Sequence, residues 1–250
     1  MKVAIITGGS RGLGKAMAVS SAAKGHDVLL TYNSKKEEAE EVVALIEKSG
    51  RKAVALRLDT SDIKSFAAFG EAVKETLKQT WKRDTFDFLV NNAGFGIHAL
   101  ITETTEEQFD QLVDVHFKGV FFLTQALLPL MADGGRIVNI SSGLARFSYP
   151  GNSVYAAVKG AIEVLTRYMA VELGSRGIAV NTVAPGAIAT DFGGGMVRDN
   201  EAVNKQVASQ TALGRVGQAE DIGGVVAALL SEETQWVNGQ RIEVSGGIHL

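Results

Sequence analysis

A short apolar run near the start of the chain passes directly into a glycine-rich turn. The run is Val3–Ile6, and the turn, Thr7–Gly14, places glycines at positions 8, 12 and 14. Leu13, Ala16 and Met17 then recur at helical spacing. Such glycines allow a tight turn and a close approach of backbone to a pyrophosphate, while the helix N-terminus offers free N–H groups to the anion. The segment predicts a strand, turn and helix that bind a dinucleotide; an ordinary glycine loop is the alternative.

The rest of the chain repeats this alternation of buried strand and amphipathic helix. Strands are predicted at 27–31, 52–58, 86–90, 136–141, 178–183 and 241–244, with helices between them. Capping boxes are predicted to start helices at Ser34–Glu37 and Thr104–Glu107. With 250 residues, 46% of them hydrophobic, the chain suits one compact domain spanning 1–250. The predicted fold class is α/β, a doubly wound Rossmann-type parallel sheet with helices on both faces.

Composition and charge narrow the range of partners. The net charge is −3, so the chain offers no basic field for a nucleic acid. Cysteine is absent and the four histidines lack ligand spacing, so no metal site is predicted. Strand-like residues begin at Lys2, and no apolar run approaches the ~18 residues of a membrane span. A soluble, cytoplasmic protein that binds neither membrane nor nucleic acid is therefore expected.

Ser142, Tyr155 and Lys159 are the strongest candidates for chemistry. Residues four apart on a helix share a face, so the Tyr155 phenol and the Lys159 ammonium point the same way. A nearby positive charge lowers a tyrosine pKa from ~10 toward working pH, which suits proton exchange with a carbonyl or an alcohol. Ser142 follows a buried strand, at the edge where α/β folds bind ligands, and could donate a hydrogen bond to the same oxygen. A chance Tyr–Lys pair is the alternative.

Taken together, these segments resemble the short-chain dehydrogenase/reductase family from end to end. The resemblance is carried by the turn Thr7–Gly14, the tetrad Asn91–Gly94, and Ser142 placed thirteen positions before Tyr155. It implies a sheet of about seven strands and hydride transfer to or from a nicotinamide cofactor. It also implies that Tyr155 donates the proton and that Ser142 orients the oxygen. Lys159 would hold the nicotinamide ribose and depress the pKa of the tyrosine.

The end of the second predicted strand favours NADP(H) over NAD(H). An acidic residue there would bond the ribose of NAD, whereas this chain reads Tyr32–Lys35 with no carboxylate. Arg11 and Lys35 could both reach a 2′-phosphate, although either could be solvated surface. The resemblance places Asp59 at the adenine and Thr190 at the carboxamide. The full predicted cofactor set is Thr7, Gly8, Ser10, Arg11, Gly12, Leu13, Gly14, Tyr32, Asn33, Ser34, Lys35, Asp59, Thr60, Asn91, Ala93, Gly94, Tyr155, Lys159, Pro185, Gly186, Ile188 and Thr190.

The predicted helix 104–128 is apolar over much of its circumference and is followed by Pro129. Such a helix needs cover on more than one side. The resemblance implies that it packs with the Tyr155 helix against another subunit, so a homotetramer is predicted; packing within one subunit is an equal alternative. Asp191–Ser209, with glycines at 193–195, is predicted to be either a mobile cover over the substrate or a plain surface insertion.

His116 is the clear departure from the family pattern. The resemblance implies a fourth cooperating residue, an asparagine, where this chain has His116. The resemblance implies that this position acts chiefly through its backbone carbonyl, which leaves the helical hydrogen-bond pattern to hold a water. A carbonyl is available from any residue, so activity is expected to survive. The imidazole either packs beside the site or joins proton transfer. In the second case its titration near ~6.5 would add a break to the pH–rate profile.

The predicted function is NADP(H)-dependent hydride transfer between nicotinamide and a carbonyl or secondary alcohol. The 3-oxoacyl-[acyl-carrier-protein] reductase type is the nearest in general character, with a small-molecule or acyl-thioester carbonyl as substrate. Sugar, steroid and small-ketone reductases share these motifs, so the substrate stays open. The alternative is a catalytically weak or inactive NADP-binding sensor with the same fold. The intact Ser142, Tyr155 and Lys159 argue against that alternative.

Overall fold

The computed structural model describes residues 1–250 and is built around one parallel sheet of seven strands. The strands are β1 (Val3–Ile6), β2 (Asp27–Tyr32), β3 (Ala53–Arg57), β4 (Phe86–Asn91), β5 (Met131–Ile140), β6 (Ala179–Pro185) and β7 (Arg241–Val244). Their order across the sheet is β3-β2-β1-β4-β5-β6-β7. Strand order reverses between β1 and β4, and ligands of such sheets bind outside the carboxyl ends at that point. The predicted doubly wound fold is confirmed.

Helices cover both faces of the sheet. They are α1 (Gly12–Ala23), α2 (Lys36–Lys48), α3 (Phe66–Thr76), α4 (Glu106–Val113), α5 (Gly119–Leu127), α6 (Ser153–Glu172), α7 (Met196–Asp199), α8 (Glu201–Ser209) and α9 (Ala219–Leu229). Two π turns interrupt the helical segments, at Leu77–Trp81 and at Asp114–Lys118. None of these helices has the combined length and apolar character that a bilayer span requires.

Alternation along the strands divides the core into two layers. Successive strand residues point to opposite faces, and here both faces are buried, which gives near-continuous apolar strands. Ile6 and Leu30 pack in the layer that holds α1, α2 and α9. Ile5 and Leu29 pack in the layer that holds α3, α5 and α6. This two-sided burial fixes the sheet and therefore the loops at its carboxyl edge.

Both predicted capping boxes are wrong in detail. The helix after β2 begins at Lys36, so its N-cap is Lys35 rather than Ser34, and no side chain caps its first turn. The helix predicted from 104 begins at Glu106, where Thr105 and Gln108 cap each other reciprocally. Thr104 is excluded because its hydroxyl donates to the carbonyl of Leu100 at 2.8 Å.

Two other predicted boundaries also move. Strand β5 begins at Met131 rather than 136 because Met131 pairs with Phe86 across a bulge. The helix predicted to run to 128 is divided into α4, a π turn and α5, and a short 3-10 turn containing Pro129 follows. In β5, strand pairing therefore overrides the local sequence pattern.

Candidate active site

A cavity of about 850 Å³ opens at the carboxyl edge of the sheet. Segments that directly follow six of the seven strands line it, including 8–14 after β1, 92–96 after β4 and 185–190 after β6. The cavity therefore lies at the switch point between β1 and β4, where open α/β sheets bind their ligands.

The glycine turn after β1 has the geometry of a phosphate cradle. Gly8 and Gly12 adopt positive φ angles of 64° and 53°, which side chains rarely allow. A Cβ on Gly14 would collide with the carbonyl oxygen of Gly8. Arg11 precedes α1 and makes no capping hydrogen bond, so the first N–H groups of the helix remain available to an anion. These residues fit the pyrophosphate of a dinucleotide.

All but two of the predicted cofactor residues line this cavity. The exceptions are Thr7 and Asn91, whose side chains make hydrogen bonds within the protein, and their role as cofactor residues stays a prediction. The Thr7 hydroxyl accepts from the backbone N–H of Asn92 at 2.9 Å, and the Asn91 amide donates to Asn139 Oδ1 at 2.9 Å. Sequence reasoning missed Asn92, whose side chain lines the cavity and donates to the carbonyl of Gly8 at 3.2 Å.

Arg11 and Lys35 line the cavity as predicted and are largely exposed. Arg11 Nη1 lies 3.8 Å from Asp191 Oδ2, and Lys35 Nζ lies 3.9 Å from Glu38 Oε1. Exposed pairs at these distances contribute little to stability, so both cations remain available to a phosphate.

A third cation, Arg57, lies next to the cavity without lining it and was missed from the sequence. Its Nε donates to the carbonyl of Asn33 at 3.2 Å, and it pairs with Tyr32 in the register of β2 and β3. Only strand pairing brings Arg57 to this place, so the linear sequence gives no signal of it.

The three predicted catalytic residues share the cavity. Tyr155 and Lys159 are buried on α6, and Lys159 Nζ lies 5.6 Å from the centre of the Tyr155 ring. Lys159 Nζ donates to the carbonyl of Ile140 at 2.7 Å. Ser142 follows β5, and its hydroxyl accepts from the N–H of Leu144 at 3.2 Å. The predicted convergence of these side chains is therefore present.

The electrostatics of Tyr155 differ from the prediction. Burial raises the pKa of its phenol, and hydrogen bonding with Ser142 offsets part of the rise. Burial also lowers the pKa of Lys159 to about 7. The expected lowering of the Tyr155 pKa by Lys159 is absent because desolvation dominates and the amine is directed at Ile140. At neutral pH the phenol holds its proton, the form that protonates a carbonyl oxygen.

A charged network holds the segment that carries Ser142. The Glu163 carboxylate accepts from Ser141 Oγ and from Arg241 Nε, each at 2.7 Å. Arg241 Nη2 lies 3.4 Å from the carbonyl oxygen of Ser142. The network joins α6, β7 and the end of β5, which are far apart in the chain, so no sequence spacing predicts it.

His116 is buried against the tyrosine. The two rings lie 5.2 Å apart in an edge-to-face arrangement. His116 Nε2 lies 2.7 Å from the carbonyl oxygen of Phe95 and 3.3 Å from the backbone nitrogen of the same residue. The shorter contact is to a group that can only accept, so we assign the proton to Nε2. Nδ1 is buried without a partner. A Cβ on Gly94 would collide with the imidazole, so this glycine makes room for it.

The backbone at His116 is also unusual. It lies in the π turn Asp114–Lys118, where the N–H of Gly119 donates to the carbonyl of Asp114, five residues back. Such bulges are frequent at functional sites, and this one interrupts the regular ladder where the resemblance implies an interruption. Burial and the charge of Lys159 lower the pKa of His116 well below its usual value. The predicted titration near ~6.5 is therefore wrong for the folded protein.

We expect His116→Asn to change turnover by less than about tenfold, or ~1.4 kcal/mol in barrier. The neutral imidazole adds no break to the pH–rate profile near neutrality, so the two profiles should have the same shape there. Because the folded pKa lies below the unfolded one, the unfolded chain binds this proton first as pH falls. The wild type should therefore lose stability below about pH 6.5 relative to the variant. A break at about pH 6.5 in the pH–rate profile of the wild type that is missing from the profile of the variant would contradict this expectation.

The predicted cover at 191–209 lies over the cavity rather than forming a separate surface insertion. It folds as a 3-10 turn at Phe192–Gly195 followed by α7 and α8. The ring of Phe192 lies 5.6 Å from that of Tyr155 and packs against Gly96. The three glycines at 193–195 all have positive φ, which shapes this turn.

Comparison with known proteins agrees with this geometry. A family model described as Enoyl-(Acyl carrier protein) reductase matches residues 8–249. A 3-oxoacyl-[acyl-carrier-protein] reductase of Staphylococcus aureus is 36% identical, over 100% of this chain and 98% of that protein. The structure of LugOII, a promiscuous reductase that catalyses keto-reduction during lugdunomycin biosynthesis, is 39% identical with a TM-score of 0.94, covering 100% and 98% of the two chains.

A further solved structure holds a cofactor. The angucycline ketoreductase LanV with bound NADP is 36% identical with a TM-score of 0.93, covering 98% of this chain and 95% of that one. Fold, site geometry and full-length likeness thus define an oxidoreductase of the Rossmann type. The chain belongs to the short-chain dehydrogenase/reductase family.

Proposed function

We propose that this protein is an NADPH-dependent carbonyl reductase. The observation that carries the proposal is that Ser142, Tyr155 and Lys159 face one cavity whose other part is the glycine turn. A binding protein without chemistry would not need a buried phenol and a buried amine at such a place. Solved relatives with bound NADP support the cofactor class.

The residues of this chain have distinct roles in the proposed reaction. The residues of the cavity would hold NADPH, and the chemistry it would supply there is a hydride for the carbonyl carbon. Tyr155, which holds its proton at neutral pH, gives that proton to the carbonyl oxygen. The Ser142 hydroxyl donates a hydrogen bond to the same oxygen and orients it. Lys159 lies beside the phenol to hold the nicotinamide ribose, while His116 packs against Tyr155 and fixes its ring.

Cofactor binding follows from the remaining residues of the cavity. The uncapped start of α1 receives the pyrophosphate. Arg11 and Lys35 supply positive charge from the cavity lining to a 2′-phosphate, and Arg57, which bonds to Asn33 without lining the cavity, adds charge next to the end of β2. Asp59 and Thr190 line the cavity, and by the family resemblance they would contact the adenine and the carboxamide of a bound cofactor.

Arg11→Ala is expected to weaken NADPH binding by about 1.5–3 kcal/mol, the contribution of a charge-assisted hydrogen bond to phosphate. NADH binding should change by less than about twofold because NADH lacks that phosphate. Lys15→Ala is the matched control, since Lys15 is an exposed cation on the same helix that does not line the cavity. Calorimetric titration of both cofactors measures the effect. Equal or tighter NADH binding by the wild type would refute the proposed preference.

We also propose that the protein is a homotetramer. Helices α4, α5 and α6 carry exposed apolar side chains, among them Phe109, Phe121, Val164 and Val171. A second subunit would bury this surface, as isologous helix pairing does in symmetric oligomers. Light scattering at micromolar concentration should return four times the chain mass of 26.5 kDa. A monomer under these conditions would contradict the proposal.

The function is tested by incubating the protein with NADPH and a panel of ketones, aldehydes and 3-oxoacyl thioesters. We expect NADPH oxidation that depends on the carbonyl and yields the matching alcohol. Tight NADPH binding with no consumption across the panel would instead support a sensor.

A further inference from the structure

Four aromatic side chains outside the predicted site line the cavity that holds Tyr155. They are Phe95, Phe147, Tyr149 and Phe192. Two of these rings are poorly covered, since Phe95 is 37% exposed and Phe192 is 48% exposed. Covering apolar ring surface with a ligand lowers the free energy. Aromatic faces favour other flat rings in offset or edge-to-face contact. The wall next to the reacting phenol is therefore suited to a planar aromatic molecule.

The loop that carries two of these rings is held in place by the end of the chain. Arg146 donates to both carboxylate oxygens of Glu243 at 2.7 Å. It also donates to the carbonyls of Ile248 and His249, each at 2.9 Å. A bidentate pair reinforced by two backbone bonds fixes the loop before a ligand arrives, which lowers the entropy cost of binding.

Tyr149 offers one unused acceptor position in this loop. Its hydroxyl lies 2.6 Å from Gln210 Oε1, and an amide oxygen can only accept, so with the amide oriented as in the structure Tyr149 donates its proton there. His249 Nε2, 2.7 Å from the same hydroxyl, must then be the donor. One lone pair of the Tyr149 oxygen remains. A ligand that meets this oxygen would have to donate a hydrogen bond.

We propose that the substrate is a fused-ring aromatic ketone that carries a phenolic hydroxyl, an inference that rests on the proposed carbonyl reductase function. The ketone oxygen meets Ser142 and Tyr155, the rings pack against the aromatic wall, and the phenol donates to Tyr149. NADPH is the reductant: a C–H bond forms at the carbonyl carbon, Tyr155 protonates the oxygen, and a secondary alcohol and NADP⁺ result. A flexible acyl thioester has neither a ring face nor a phenolic donor for these groups.

The first measurement compares kcat/KM for three substrate types with NADPH. They are β-tetralone, the isomeric monohydroxy derivatives of β-tetralone with the hydroxyl on the aromatic ring, and acetoacetyl-coenzyme A. At least one hydroxylated isomer should exceed β-tetralone about threefold to tenfold, the effect of one neutral hydrogen bond. Both ring ketones should exceed the thioester.

Variants then locate the preference. Tyr149→Phe should remove the advantage of the hydroxylated isomer over β-tetralone, because the acceptor oxygen is lost together with its bonds to Gln210 and His249. Tyr168→Phe is the matched control, since Tyr168 is 65% exposed on α6 and does not line the cavity. Phe192→Leu should raise KM for the ring ketones and leave acetoacetyl-coenzyme A little affected.

Two results overturn the inference while leaving the reductase function in place. One is a higher kcat/KM for the thioester than for every ring ketone. The other is a hydroxyl preference that is absent or that survives in Tyr149→Phe. If no carbonyl is reduced, the proposed function fails, and calorimetric titration of a naphthol in the presence of NADP⁺ decides the inference. Binding that weakens in Tyr149→Phe supports it, and no binding refutes it.

Discussion

Tyr155→Phe is expected to lower turnover about a thousandfold and to leave NADPH binding within about threefold of the wild type. A positioned general acid contributes roughly 10²–10⁴ to a rate, and burial keeps the proton on the Tyr155 phenol at neutral pH. The substitution keeps the ring that packs against His116 and Phe192, so the surrounding structure should persist. The loss should therefore appear in kcat rather than in folding.

Steady-state kinetics with a reducible ketone, together with a cofactor titration, measure this effect. Circular dichroism of the variant serves as the structural control, since only one hydroxyl is removed. Retention of more than about a tenth of wild-type turnover would show that another group or water supplies the proton.

Gly14→Ala is expected to destabilise the fold by about 1–3 kcal/mol and to weaken NADPH binding at least about tenfold. The added methyl would overlap the carbonyl oxygen of Gly8, which belongs to the backbone of the turn and cannot rotate away. The turn and the start of α1 must then separate, and the N–H groups that receive the pyrophosphate lose their alignment.

Gly224→Ala provides the matched control for this change. Gly224 lies within α9, and a Cβ there meets no atom within 4 Å. Alanine is a better helix former than glycine, so this variant should gain up to about 1 kcal/mol. In denaturant unfolding, the free energy of unfolding should therefore fall for Gly14→Ala and rise for Gly224→Ala. NADPH titration of the two variants measures the effect on binding. Equal free energies of unfolding and equal NADPH affinities in the two variants would show that the turn tolerates a side chain.

Much of the fold could be predicted from the sequence because local and global preferences agree. Apolar runs such as Val3–Ile6 and Phe86–Val90 are buried on both faces, and their lack of alternation is typical of a parallel sheet. The glycine turn could be predicted because it needs residues without a Cβ. Ser142, Tyr155 and Lys159 could be placed together because one follows a strand and the others share a helical face.

Features that depend on contacts distant in the chain could not be predicted. Arg57 reaches the cofactor end only through the pairing of β3 with β2. The joining of Glu163 to Arg241, and of Tyr149 to His249, requires α6, β7 and the chain end to be in place. The direction of the Tyr155 pKa shift depends on burial, which spacing on a helix does not reveal.

Hydride transfer itself tests the proposed carbonyl reductase function most directly. The protein is mixed with β-tetralone or one of its hydroxylated derivatives and with NADPH that carries deuterium on one face of the nicotinamide. Each of the two faces is labelled in a separate experiment. We expect that, for one of the two faces, the product alcohol carries deuterium on the former carbonyl carbon, and that Tyr155→Phe nearly abolishes this product. A protein that binds NADPH tightly yet transfers no deuterium to any ketone, aldehyde or 3-oxoacyl thioester would contradict the proposed reductase function.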